Sequence, residues 1–172
     1  ANLEAAVQGC IASKFRNAGQ TCVCTNRIYA QAGIHDAFAT RLAQVVAALR
    51  VGPGDQAESE IGPLITPAAL AKVSAHIADA CAKGATVLTG GAAMNGTFFQ
   101  PTVLTGVTAE MTVAREETFG PLAPIFRFET EAEVIAAAND TEFGLASYVF
   151  TRDVGRVWRV MEGLKFGMVG VN

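Results

Sequence analysis

Apolar positions along the chain recur at two different spacings, and the two alternate. Leu3, Val7, Ile11 and Phe15 mark one face of a helix that Asn2 can cap. Thr25 to Gln31 then alternates around Ile28, which predicts a short strand. From Asp36, the apolar set Phe38, Leu42, Val45, Val46 and Leu49 predicts an amphipathic helix, closed by the loop chemistry of Gly52-Pro53-Gly54-Asp55. Thr66-Pro67 is a helix start, a hydroxyl cap followed by proline at the first helical position. Leu70, Val73 and Ile77 continue that stripe until Gly84 stops it. Ala85 to Thr89 is a strand ended by Gly90-Gly91. Phe98 to Leu104 is extended but broken by Pro101, which suits an edge or a bend better than a central strand.

Pro121 to Phe128 reads as a buried strand, and Thr130-Glu131-Ala132-Glu133 as a capping box opening a helix through Val134, Ile135 and Ala138. Ser147 to Phe150 is a strand. Asp153 caps a helix carrying Val157, Trp158, Met161 and Leu164, and Met168 to Val171 begins another strand after Gly167. Strand and helix alternate throughout, so the expected fold is α/β, a mostly parallel sheet with helices on both faces. No repeat, low-complexity run or linker divides the chain, and residues 1–172 are expected to form one domain.

Composition narrows the function classes. With 51% hydrophobic and 17% charged residues the chain is an ordinary, rather apolar soluble protein. A net charge of −3, with both signs interspersed, gives no nucleic-acid footprint and no basic membrane patch. No apolar run approaches the roughly 18 residues a membrane span needs, and the opening Ala1-Asn2-Leu3-Glu4 is not a signal peptide. Cys10, Cys22, Cys24 and Cys81 have neither zinc-ligand spacing nor the density of a disulfide scaffold. His35 and His76 fit no metal motif and are expected on the surface near helices. A reducing, cytoplasmic setting is the default. The chain starts and stops inside regular patterns, and so reads as a piece of a longer protein.

One stretch carries chemistry. Phe15-Arg16-Asn17-Ala18-Gly19-Gln20-Thr21-Cys22-Val23-Cys24 lies between a helix and a strand, with a glycine and an amide just before a thiol. Such a loop can present a cysteine at the end of an element. Cysteine is a strong nucleophile only as the thiolate, whose unperturbed pKa is about 8.5, so a reactive one needs a polar or positive setting. Arg16 is the nearest fixed charge in the chain. On the residues alone, a loop cysteine is more often a small buried apolar group.

The segment Lys14 to Cys24 resembles the active-site segment of the aldehyde dehydrogenases, and within them most of all the succinate-semialdehyde dehydrogenases. Further segments are similar to the family in the same order: Ile61-Gly62-Pro63-Leu64, Lys83-Gly84-Ala85, Gly90-Gly91, Phe99 to Leu104, Glu116 to Pro121, Asn139 to Leu145 and Gly167 to Asn172. The resemblance implies that Cys22 attacks an aldehyde carbon, that its backbone N–H and an asparagine hold the oxyanion, and that hydride leaves to NAD or NADP. The thioester that remains is hydrolysed by an activated water. It further implies that Glu117 accepts hydrogen bonds from the nicotinamide ribose and that Phe119 packs near the nicotinamide.

Arg16 is the substrate clue. The succinate-semialdehyde group carries arginine at this place, where a guanidinium can grip a distal carboxylate in a bidentate fork. Paired cysteines also occur in that group, so the resemblance implies that Cys24 can pair with Cys22 in a redox switch, the alternative being that Cys24 packs at the start of the strand. The family's cofactor domain, oxyanion asparagine and general-base glutamate lie upstream of this chain, and no residue here replaces them, Glu4 included. The expected parent is a homo-oligomeric dehydrogenase of succinate semialdehyde, the fragment alone being inactive. The alternatives are another semialdehyde such as glutarate semialdehyde, a cysteine-dependent esterase or acyl transferase, and a non-catalytic assembly piece.

Overall fold

The computed structural model describes residues 2–172. Four strands form one sheet in the order β1-β4-β3-β2: β1 (Ile28–Gln31), β4 (Leu122–Phe128), β3 (Thr102–Thr105) and β2 (Thr86–Thr89). β1 and β3 both run parallel to β4, with Ile28 opposite Ile125 and Val103 opposite Ala123, while β2 is antiparallel to β3. β5 (Ala146–Val149) and β6 (Met168–Val171) form a separate parallel pair.

The pleat of β4 decides which helices lie on which face. Ala123 and Ile125 point one way, into a core built with Val7 and Cys10 of α1 (Leu3–Lys14) and Phe38, Leu42 and Val46 of α2 (Ala32–Ala47). Leu122 and Phe126 point the other way, against Val73, Ile77 and Ala80 of α3 (Pro67–Ala82) and Met111. Both sheet faces are therefore covered, as a mostly parallel sheet requires. Each fully buried aliphatic side chain contributes roughly 1.5–3 kcal/mol.

Local chemistry sets the helix starts. Asn2 Oδ1 accepts from Glu4 N, Thr66 Oγ1 from Ala69 N, and Asp153 Oδ1 from Arg156 N at the start of α6 (Val154–Gly163). Thr130 and Glu133 form the expected capping box at α5 (Glu131–Asn139).

Some expectations are corrected. α2 begins at Ala32, with no side-chain cap, because the chain turns directly from β1 into the helix. β3 is an interior strand. Pro101 precedes its first residue and so removes no ladder donor, while Phe98–Gln100 turn back on Ala92–Met94. A short helix, α4 (Thr112–Arg115), starts where Asp79 Oδ2 accepts from Thr112 N at 2.7 Å. Both histidines are buried, His35 beside Asp36 and His76 against Thr118.

Candidate active site

α1 ends at Lys14, and a single tight turn, Arg16–Gly19, follows. Asn17, Ala18 and Gly19 all take positive φ, at 49°, 54° and 78°. For a residue with a Cβ this conformation costs roughly 1–2 kcal/mol, so the surroundings must enforce it. Two amides do so. Asn17 Nδ2 donates to Gln20 O at 3.2 Å, and Gln20 Nε2 donates back to Asn17 O at 3.2 Å. Gln20 also donates to Pro63 O and accepts from Ile65 N, tying the turn to a second loop. On the other side Gly19 packs backbone to backbone on Gly120.

Cys22 leaves this braced turn exposed, and Cys24 is buried, with its Sγ 3.7 Å from Arg16 O. All four cysteines are free thiols. Cys10 lies inside the core, and burial pushes its thiol up to about 12, so it stays protonated at neutral pH. Cys81 is exposed near the end of α3. Arg16 is exposed, and its guanidinium has no hydrogen-bond or ion-pair partner among the described residues.

A cleft of about 500 Å³ opens beside Cys22. α1 and β1 form one wall, the segment Val113–Glu117 another, and β5 with the end of α6 the third. Tyr148 Oη crosses from β5 and donates to Val23 O at 2.9 Å, fastening the cysteine loop to that wall. Arg27 donates to Ala137 O and Ala138 O at 2.9 and 2.8 Å, placing a cation at the negative end of α5. The cleft brings together Cys22, Cys24 and Glu117; Arg16 and Phe119 are not in its lining. Glu117 is half-buried, and its carboxylate has no partner among the described residues. Phe119 is 40% exposed, unusual for a phenyl ring beside the buried Thr118 and Gly120. Among the described residues no group of three or more His, Cys, Asp or Glu could hold a metal ion.

Sequence reasoning passed over the polar groups behind the cleft. Lys14 is completely buried, and desolvation pulls its ammonium down to about 8 against the weaker opposing pull of Cys24, Cys10 and Glu117. His76 is buried against the Thr118 hydroxyl, and its pKa is lowered by that burial. The signal for Lys14 was available: it lies one and two helical turns beyond Cys10 and Val7, on the buried face of α1. Nothing in the local pattern marked His76, whose partner lies 42 residues away.

The model of the aldehyde dehydrogenase family matches residues 1–172. The chain is 59% identical to the glutarate-semialdehyde dehydrogenase of Pseudomonas putida and 59% identical to the NADP(+) succinate-semialdehyde dehydrogenase GabD of Escherichia coli. Each match covers all of this chain and 36% of the relative's length. Among solved structures, the succinate-semialdehyde dehydrogenase of Burkholderia pseudomallei superposes with a TM-score of 0.98 at 60% identity, over 99% of this chain and 36% of that one. Motif order, fold and whole-chain similarity thus lead to one conclusion: the chain belongs to the aldehyde dehydrogenase family.

Proposed function

We propose that the chain is the thiol-bearing catalytic domain of an NAD(P)-dependent semialdehyde dehydrogenase, in which Cys22 is the nucleophile and Arg16 grips the substrate's distal carboxylate. The observation that carries this reading is an exposed thiol just past a braced turn whose first residue, Arg16, presents an unpartnered guanidinium. The Cys22 backbone N–H has no acceptor among the described residues, which leaves it free to face an oxyanion.

Cys22 as thiolate adds to the aldehyde carbon, forming the C–S bond and moving the carbonyl electron pair to oxygen. Collapse of the oxyanion expels hydride from the same carbon and leaves a thioester on Cys22. Water then adds to the thioester carbonyl, losing a proton to solvent, and expels the sulfur, releasing the acid and the thiolate. The nicotinamide, when bound, supplies the hydride acceptor. Glu117 fits that group: a half-buried carboxylate with free acceptor capacity suits two ribose hydroxyls, and the exposed ring of Phe119 can pack by the nicotinamide.

Succinate semialdehyde and glutarate semialdehyde both have a terminal carboxylate for Arg16, and relatives named for each match this chain equally well. In the full-length enzyme, Arg16→Leu should raise KM for the preferred semialdehyde about 10- to 150-fold, as expected for a charge-assisted contact, while a neutral aldehyde of similar length changes little. Equal effects on both substrates would mean that Arg16 shapes the loop instead. Cys24 is proposed as the resolving thiol of a redox switch. Peroxide converts Cys22 to a sulfenic acid, the Cys24 thiol displaces water from it, and dithiothreitol reduces the resulting disulfide. Reversible inactivation should become largely irreversible in Cys24→Ala; identical recovery in both proteins would make Cys24 a packing residue only.

A further inference from the structure

The two arms of the site lie far apart in sequence, and one buried polar network joins them. On the cysteine arm are Lys14, the last residue of α1, and Asn26, just past Cys24. On the other arm is Thr118, directly after Glu117. Lys14 Nζ lies 3.3 Å from Asn26 Oδ1 and 3.3 Å from Thr118 O, and Thr118 N donates to the same Asn26 oxygen at 3.0 Å. Thr118 Oγ1 meets His76 Nδ1 at 2.7 Å. On the far side of Glu117, Lys72 reaches the Glu116 carboxylate at 3.2 Å and His76 Nε2 faces it at 3.5 Å. Both neighbours of Glu117 are thus fixed, and Glu117 itself is left unpartnered in the cleft.

A buried ammonium with no carboxylate at ion-pair distance is a costly feature. Lys14 takes its partners from an amide and a main-chain carbonyl, the groups that set the path of the Glu117 segment. We propose that Lys14 and Asn26 are positioning residues that hold the Glu117 carboxylate in register with Cys22, so that cofactor binding depends on a lysine that never touches the cofactor. The inference rests on the reading of Glu117 as the ribose-binding carboxylate. The backbone approach of Gly19 to Gly120 supports it, because it brings the same two arms together at a second point.

The test uses the full-length enzyme and the equilibrium Kd of oxidised nicotinamide cofactor, measured by calorimetry for wild type, Lys14→Met, Glu117→Gln and the double variant. Labelling of Cys22 by iodoacetamide and cofactor-free hydrolysis of an activated ester serve as readouts independent of the cofactor. Losing one charge-assisted contact behind the loop should weaken cofactor binding about 10-fold in Lys14→Met, with thiol labelling and ester hydrolysis within about two-fold of wild type. The double variant should be no weaker than the worse single one, because Lys14 acts only through Glu117. Additive losses, or a Lys14→Met whose cofactor Kd is unchanged while Glu117→Gln weakens it, would overturn the positioning role. An unchanged Kd in Glu117→Gln would instead overturn the reading of Glu117. If Lys14→Met does not fold, Asn26→Ala enters the same cycle with the same expectations.

Discussion

A methyl group at position 19 has nowhere to go. Gly19 has φ of 78°, and a Cβ there would lie 2.0 Å from the Gly120 carbonyl oxygen, which belongs to main chain and cannot rotate away. Gly19→Ala should destabilise the chain by roughly 2–4 kcal/mol through strain and displaced backbone, seen as a lower urea midpoint, and should change the labelling rate of Cys22. Unaltered labelling with unaltered stability would mean that the two loops part freely. Lys14 supplies a pH signature. Its ammonium titrates at about 8 when folded and at 10.5 when free, so between those values the unfolded chain holds a proton that the folded chain has released. Stability from this group therefore rises with pH across that window, by at most about 3 kcal/mol. Cys10 acts in the opposite sense, keeping its proton when folded up to about 12, so its contribution falls as pH rises above 9.0. Comparing wild type with Lys14→Met in urea titrations across the window separates the two. The stability difference should shift toward wild type as pH rises, and a pH-independent difference would place the lysine's charge in water.

Helices and strands were legible wherever local chemistry alone decides them. α5 is the clearest case. It has no buried residue, and its capping box, the Glu131 pairs with Arg156 and Arg159, and the Arg27 contacts at its far end hold it in place. Thr130→Ala should therefore loosen its first turn by about 1 kcal/mol, read as roughly five-fold faster amide exchange at Glu133, with little change in cores that α5 does not enter. Exchange unchanged at that amide would mean that Glu133 caps the helix unaided. β6 and the start of α6 were equally plain, from Gly167 and Asp153. The elements misread are those that tertiary contacts decide: α2 starts early because β1 feeds it, α4 forms on a carboxylate from α3, and β3 is interior because Pro101 stops short of it. The site divides in the same way. The turn bearing Cys22 was visible in sequence, whereas the Lys14–Thr118 contact spans 104 residues and left no local trace beyond a lysine on an apolar face.

At the scale of the molecule, the chain spans 36% of the length of the curated relatives it matches, and the chemistry proposed for Cys22 needs a base, a second oxyanion donor and most of a cofactor site besides. All must lie within a few ångströms of the thiol to act, so the 172-residue chain by itself should form no NADH or NADPH from any semialdehyde, monitored at their common absorbance. Turnover by the purified chain would relocate the machinery. The cleft that holds Cys22 and Glu117 has a further consequence through the strands around it. β1 is bonded only to β4, β2 only to β3, and β5 and β6 only to each other, so each has one row of amides and carbonyls facing no strand among the described residues. Unmatched rows of this kind accept any extended peptide, including another copy of the same polypeptide. Association of this chain with itself through those rows should grow with concentration, so a dilute solution is expected to keep for longer than a concentrated one.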